Sequence, residues 1–374
     1  MQRAGFGGNL RLLSGVFLTA PNRKRLAMRV VMEPEGWMER LGMTLGMMPT
    51  PMGQTWCAQK LSRFIMAATK LGLFDALSEG AKTATEVAAL AGTHPEATER
   101  LLGVLVTARY LTFARGRFAL TAMTRKWLLK DAALSLHDNL LFQYLEWKLI
   151  EGSEEYVRTG EPIDFHARLS ADDWGIYQRA MRALAGTNAA EVVRRTPVPR
   201  GATALLDIGG SHGFYSVSLC RKHPSLRATI LDLPQAVAHA GPILAAERMG
   251  DRVQHRAGDA LTTDLGEASY DVVLISSLVH HFDDATNVAL MQRIARALKP
   301  GGSVSIIDYI RLETPNEGGQ VAWIMNFYFA LTSQSGAFSF ADMQRWQRAA
   351  GLTPRPSARF QTIPGSGIQS ATKR

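Results

Sequence analysis

Two groups of residues in the C-terminal half of this 374-residue chain have types and spacings that can do chemistry. The first begins in the segment LLDIGGSHGFYS, residues 205–216. An apolar run ends in Asp207, a glycine-rich turn follows (Gly209, Gly210, Ser211, His212, Gly213), and a helical pattern begins. Glycines let the backbone turn tightly and let a ligand approach without meeting Cβ atoms. Asp232 and Leu233 close the next apolar run, and Gly258, Asp259 and Ala260 close a third. The second group is Val279-His280-His281-Phe282-Asp283-Asp284, after a fourth apolar run. A neutral imidazole, with a pKa of about 6.5, can take a hydroxyl proton near neutral pH.

A dinucleotide loop of the G-x-G-x-x-G kind needs glycine at 211 and 214, where this chain has Ser211 and Phe214. A carboxylate at Asp207 also repels a pyrophosphate but can receive a cationic amino group. Asp232 is placed to accept hydrogen bonds from ribose hydroxyls, and Asp259 to accept one from an exocyclic base amine. One acid at each of three successive strand ends describes a nucleoside with an amino-acid tail, the shape of S-adenosylmethionine. His280 then fits a general base for a hydroxyl attacking the sulfonium methyl, with in-line positioning as the other contribution. His281 fits a neighbour that orients the loop, His212 a solvent-facing loop residue, and Asp283 or Asp284 a helix cap.

These residues need a parallel α/β scaffold to share one edge. Strands are expected at 204–208, 227–232, 253–257, 271–276 and 303–309, with helices at 213–222, 235–248 and 285–298 between them. Lys299-Pro300-Gly301-Gly302 is expected to close the last of these helices. Helices at 319–332 and 339–350 and two final strands within 353–374 complete this half. Trp323, Asn326, Phe327 and Ala330 share a face of the 319–332 helix, and an aromatic face with one amide suits a flat, largely apolar acceptor. Before the TPVPRGATA break at 196–204 the pattern is helical. A helix spans 55–80 with Leu61, Ile65, Ala68 and Leu71 as its apolar stripe, and residues 83–120 have a winged-helix outline. The expected division is a basic, poorly ordered leader at 1–40, a helical winged-helix domain at 41–195 and an α/β domain at 196–374.

With D-I-G-G-S-H-G at 207–213, L-D-L-P at 231–234, A-G-D-A at 257–260, V-H-H-F-D-D at 279–284 and L-K-P-G-G at 298–302, residues 55–374 resemble a known family. It is the class I S-adenosylmethionine-dependent small-molecule O-methyltransferases, of the caffeate and polyketide-tailoring type. The resemblance implies a Rossmann-like sheet of seven strands, the last antiparallel, and a winged-helix domain used for homodimer contacts. It places the methionine portion of the cofactor on Gly209, Gly210 and Gly213, beside Asp207, the ribose on Asp232 and the adenine by Asp259, with Leu233 and Ala260 beside them. It makes His280 the base and places Trp323, Asn326 and Phe327 against the acceptor. The chain departs from the pattern at four points. Ser211 replaces a glycine, Ser276 a lysine near the cofactor carboxylate, and His281 an aspartate, and the glutamate that assists the histidine is missing from 337–342. That missing acid leaves carbon or nitrogen methylation open as an alternative.

Composition is ordinary for a globular chain, 46% hydrophobic and 20% charged. Cys57 and Cys220 are isolated, which excludes a disulfide framework and a zinc site of the usual spacing, and no metal is expected. A reducing cytoplasm is the default compartment. Of the +9 net charge, six positive charges lie in residues 1–30, so the rest of the chain is nearly balanced. A ligand-sensing DNA-binding regulator would read with the 95–109 helix, where Arg100 and Arg109 are offset by Glu96 and Glu99. That is too little charge to neutralise several phosphates, so no nucleic-acid partner is expected. The longest uncharged stretch, Gly318–Ala341, is too polar to span a membrane. The methionines at 43, 47, 48 and 52 suit adaptable packing at a dimer contact.

Overall fold

The computed structural model describes residues 31–317 and 319–374; residues 1–30 of the expected leader lie outside the described residues. The N-terminal half contains helices α1 (Trp37–Thr44), α2 (Thr50–Met52), α3 (Ala58–Lys70), α4 (Ala84–Ala91) and α5 (Pro95–Thr107), then the hairpin of β1 (Leu111–Ala114) and β2 (Arg117–Leu120). Helices α6 (Ala122–Trp127), α7 (His137–Ile150), α8 (Ser153–Thr159) and α9 (Ala171–Arg195) follow.

The winged-helix outline is present. Thr83 caps α4 in a capping box with Glu86, and Gly92 ends it in the left-handed conformation. Leu73, Phe74, Leu77, Leu102, Leu105, Leu111 and Phe118 make its core. The expected 55–80 helix is shorter: a π turn at Gly53–Cys57 joins α2 to α3, and α3 ends at Lys70. Its stripe also divides, because Ile65 and Ala68 are buried while Leu61 and Leu71 are exposed.

In the C-terminal half, β3 (Ala204–Ile208), α10 (Phe214–Lys222), β4 (Arg227–Asp232), α11 (Pro234–Ala246), β5 (Val253–Ala257), β6 (Tyr270–Ser276), α12 (Asp284–Ala297) and β7 (Leu298–Tyr309) alternate. They are followed by α13 (Gln320–Thr332), α14 (Phe340–Ala349), β8 (Thr353–Pro354), β9 (Ala358–Arg359) and β10 (Ser366–Thr372). The sheet order is β5-β4-β3-β6-β7-β10-β8, with β9 also on β10. Pairs from β5 to β7 are parallel, and β10 is antiparallel to its neighbours. The sheet therefore has eight strands where seven are expected. The extra one arises because Pro354 and Pro356, lacking amide protons, confine the edge to two-residue pieces.

Lys299–Gly302 does not close α12. The helix ends at Ala297, Leu298 is already extended, and the two glycines lie inside β7 where Gly301 turns at φ +77. Strand order reverses around β3, which pairs with both β4 and β6, so the crevice beyond its carboxyl end is the natural ligand site. Helix α9 reaches that crevice from the other half, packing on α7, α10 and α11. Among the described residues no helix is long and apolar enough to cross a membrane, and no His/Cys/Asp/Glu group is arranged to hold a metal.

Candidate active site

A cavity of about 510 Å³ opens beyond the carboxyl ends of β3, β4, β5 and β6. Asp232, Leu233, Asp259, Ala260, Gly209, Ser211 and His281 line it, so the acids at the second and third strand ends meet the glycine turn as expected. Asp164 adds a third carboxylate, and among the described lining residues there is no lysine or arginine. Such a low-dielectric cleft favours a cation. A second cavity, about 110 Å³, shares Tyr177, Gly209, Ser211 and Ser277 with the first and adds Gly210, Tyr215, Ser276, Asp308 and Tyr309. Ser211 and Ser277, which border both cavities, take left-handed backbone at φ +51 and φ +50, the kind of strain that persists at functional sites.

Beneath the turn, Asp207 is 1% exposed and lines neither cavity. The Ser216 hydroxyl donates to its Oδ2 at 2.7 Å, while Oδ1 has no partner among the described residues. Burial, then the nearby Asp232, push its carboxyl up to about 7 against the Ser216 bond. Its position explains Gly210, where a Cβ would sit 2.4 Å from the Asp207 Cγ. Gly213 turns at φ +71 and a Cβ there would sit 2.3 Å from Cδ1 of Ile230. His212, expected to face solvent, is buried instead. Its Nδ1 accepts the Phe214 amide at 3.0 Å, and burial drives it down to about 3.

Asp232 receives the amide protons of Ser211 on Oδ2 at 2.7 Å and of Leu233 on Oδ1 at 2.8 Å. Burial raises its pKa against those bonds and against His255. Asp259 receives the Leu261 amide at 2.8 Å. Ser276 faces the second cavity rather than the first.

His280 is 3% exposed and lines neither cavity itself; its chain neighbour His281 lines the larger and its partner Asp308 the smaller. Its Nδ1 meets both Asp308 oxygens, at 3.0 and 2.9 Å. A carboxylate only accepts, so Nδ1 carries the proton and Nε2 is left to act as a base. Phe329 stacks on the ring at 3.8 Å and 2°. His281 lines the larger cavity, with Nδ1 at 3.0 Å from the Ser333 hydroxyl and its ring 4.3 Å from His280 and 4.9 Å from His166. Burial first, then these two imidazoles, hold it well below its ordinary pKa. Asp283 caps α12 through Thr286.

The face of α13 turned to the site is not the expected one. Trp323, Asn326 and Phe327 line neither cavity. Trp323 Nε1 is buried without a partner among the described residues, Asn326 holds the Ala337 amide at 3.1 Å, and Phe327 is 41% exposed beside Tyr156. Phe329, Thr332 and Ser333 of the same segment reach the site instead.

A model of the O-methyltransferase domain matches residues 142–351, and one of the O-methyltransferase dimerisation domain matches residues 54–130. The chain belongs to the O-methyltransferase family. A mitomycin biosynthesis 6-O-methyltransferase of Streptomyces lavendulae is 31% identical over 273 residues, covering 68% of this chain and 75% of the relative. A 3-hydroxy-5-methyl-1-naphthoate 3-O-methyltransferase of Streptomyces sahachiroi is 26% identical over 328 residues, covering 85% and 92%. Human N-acetylserotonin methyltransferase, solved in complex with S-adenosylmethionine, shares the fold with a TM-score of 0.75 at 18% identity, over 92% of this chain and 99% of that one.

For this O-methyltransferase the cavity fits the family's cofactor. Two acids stand at strand ends, Gly209 turns at φ +67 on the cavity wall, and among the described lining residues no lysine or arginine competes with a sulfonium. Sequence motifs do not mark Gln178, His166 or Trp174, which come to the cavity from the helical half. Asp308 carries a usable signal, since it ends an apolar run as Asp207 and Asp232 do.

Proposed function

We propose that this enzyme transfers a methyl group from S-adenosylmethionine to a hydroxyl of a small aromatic or polyketide-like acceptor, with His280 as general base. The observation that carries this reading is the pairing of His280 with Asp308 at 2.9 Å, the His280 ring lying 4.3 Å from that of His281, which lines the acid-lined cavity. When bound, S-adenosylmethionine supplies an electrophilic sulfonium methyl. Asp232 would offer acceptors to the ribose, Asp259, Leu233 and Ala260 would hold the adenine, and Gly209 and Gly210 would let the amino-acid tail approach the backbone. Ser276 lines the second cavity together with Gly209 and Gly210 and would be the residue there in reach of that tail. Asp308 fixes the His280 ring, and Nε2 receives the acceptor's proton. This carboxylate stands where the glutamate at 337–342 is missing, which supports a hydroxyl over the alternative of a carbon or nitrogen acceptor.

The exposed apolar side chains of the N-terminal half, among them Trp37, Met47, Trp56 and Phe64, support a homodimer built on the dimerisation domain. The test of function is titration calorimetry with S-adenosylmethionine and S-adenosylhomocysteine, followed by a turnover screen on phenols. We expect both ligands to bind and His280→Ala to keep binding while losing turnover. Undiminished turnover in His280→Ala would overturn the base assignment.

A further inference from the structure

The third residue of the turn is a serine in a backbone conformation that L side chains resist. Three hydrogen bonds hold Ser211 there. Its amide donates to Asp232 Oδ2 at 2.7 Å, and its carbonyl accepts from His255 Nε2 at 2.7 Å. Its hydroxyl donates to Oε1 of Gln178. Gln178 is 1% exposed and belongs to α9, so the third bond crosses from the helical half to the cofactor turn. A buried amide is costly unless bonded, which makes this contact specific rather than incidental.

The same helix secures the following segment twice more. One turn on, Arg182 lies over the Phe214 ring at 3.4 Å and pairs with Glu247 at 2.7 Å. Further along, Asn188 accepts the Tyr215 hydroxyl at 2.7 Å. The turn and the start of α10 are therefore fixed relative to α9.

The consequence falls on Asp232. Each carboxylate oxygen has two acceptor positions. Oδ2 spends one on Ser211 and Oδ1 one on Leu233, which leaves one on each oxygen for a cis-diol. If the turn relaxed out of the left-handed region, the Ser211 amide would leave Asp232 and the carboxylate would lose its aim.

We infer that Gln178 and Ser211 act as a cofactor-positioning pair: α9, through Gln178, keeps Ser211 left-handed and so keeps Asp232 oriented toward the ribose. This rests on the reading of the larger cavity as the S-adenosylmethionine site. The pair acts through the Asp232 carboxylate, so its effect is on cofactor affinity.

The test is calorimetric titration of S-adenosylhomocysteine into wild type, Gln178→Ala, Ser211→Ala, Ser211→Gly, the double Gln178→Ala/Ser211→Ala, and Asp232→Ala. We expect Gln178→Ala and Ser211→Ala each to weaken binding about tenfold and the double to be no weaker than the worse single variant, because coupled residues are not additive. Ser211→Gly should lose less than Ser211→Ala, since glycine holds the turn unaided. In steady-state assays KM for S-adenosylmethionine should rise while KM for the acceptor stays within twofold. Wild-type affinity in Gln178→Ala, or effects that multiply in the double variant, would overturn the pairing. Should Gln178→Ala fail to fold, equal affinity of Ser211→Ala and wild type would overturn it. A wild type that does not bind S-adenosylhomocysteine would instead overturn the underlying site reading. Weakened Asp232→Ala beside an unaffected Gln178→Ala removes the pair and leaves the site standing.

Discussion

Both carboxylate oxygens of Asp308 lie within 3.0 Å of Nδ1 of His280, from the end of the strand next to the one that leads into the histidine. The pair is almost fully buried and covered by Phe329, so water does not compete for the bond. Asp308→Asn presents an amide that can turn its NH₂ toward Nδ1 and favour the wrong tautomer. We expect kcat to fall about 10²–10³-fold, in the range of lost general-base assistance. S-adenosylhomocysteine affinity should change much less than kcat, by no more than about fivefold, since neither residue lines the larger cavity. The double variant with His280→Ala should be no slower than His280→Ala alone. Single-turnover kinetics and calorimetry check both halves; a kcat within threefold of wild type would disconnect Asp308 from the base.

Asp207 makes a pH prediction with a definite sign. Its folded carboxyl titrates at about 7, above its ordinary range near 4, because it is buried without a cation. Between those values the unfolded chain has released this proton and the folded chain still holds it. Stability must therefore fall as pH rises through that window, by about 4 kcal/mol in all if the full shift acts. Asp207→Asn has no such proton to lose. Melting of the ligand-free protein at pH 5 and pH 8 should show wild type losing stability relative to Asp207→Asn. An unchanged difference between the two pH values would mean that the carboxyl titrates normally.

Gly213 and Gly201 separate backbone strain from steric conflict. Both have positive φ, but a Cβ at Gly201 meets nothing within 4 Å, whereas at Gly213 it would lie 2.3 Å from Ile230 Cδ1. Gly201→Ala should cost about 1 kcal/mol from conformation alone. Gly213→Ala should cost about 3 kcal/mol, because overpacking against a buried strand is added. Urea unfolding measures both, and equal losses would show that Ile230 can move aside.

The site's acids are legible because strands buried on both faces read as apolar runs, and a charge at the end of each run marks the sheet edge. Asp308 has the same signature, but its contact with His280 becomes visible only when β6 and β7 are paired. The aspect of α13 is not legible. Val321, Ala322, Trp323, Ile324, Met325, Phe327, Tyr328 and Phe329 make it apolar nearly all round, so periodicity selects no face. Gln178 and His166 are equally silent, since helix α9 and the segment before it carry no motif and acquire a role only by packing on the sheet. Phe329→Leu should accordingly lower kcat about tenfold by loosening the His280 ring, while Phe327→Leu should leave kcat and acceptor KM within twofold. The reverse ranking would restore the 323–327 face to the acceptor.

On α3 the two faces have different fates. Ile65 and Ala68 enter the winged-helix core, whereas Leu61, Phe64 and Leu71 stand 37%, 39% and 46% exposed at helical spacing. Trp56, 54% exposed, extends the same apolar surface toward α2. A stripe of this kind within a dimerisation domain is best satisfied by burial against a second copy, and charge placed in the centre of such a contact is strongly unfavourable. Phe64→Asp with Leu71→Asp should convert the proposed dimer to a monomer at micromolar concentration in equilibrium sedimentation, a shift in dissociation constant of about 100-fold or more. The core below is untouched, so far-ultraviolet dichroism should be unchanged. A dimer that persists in the double variant would place the contact on another surface of the helical half.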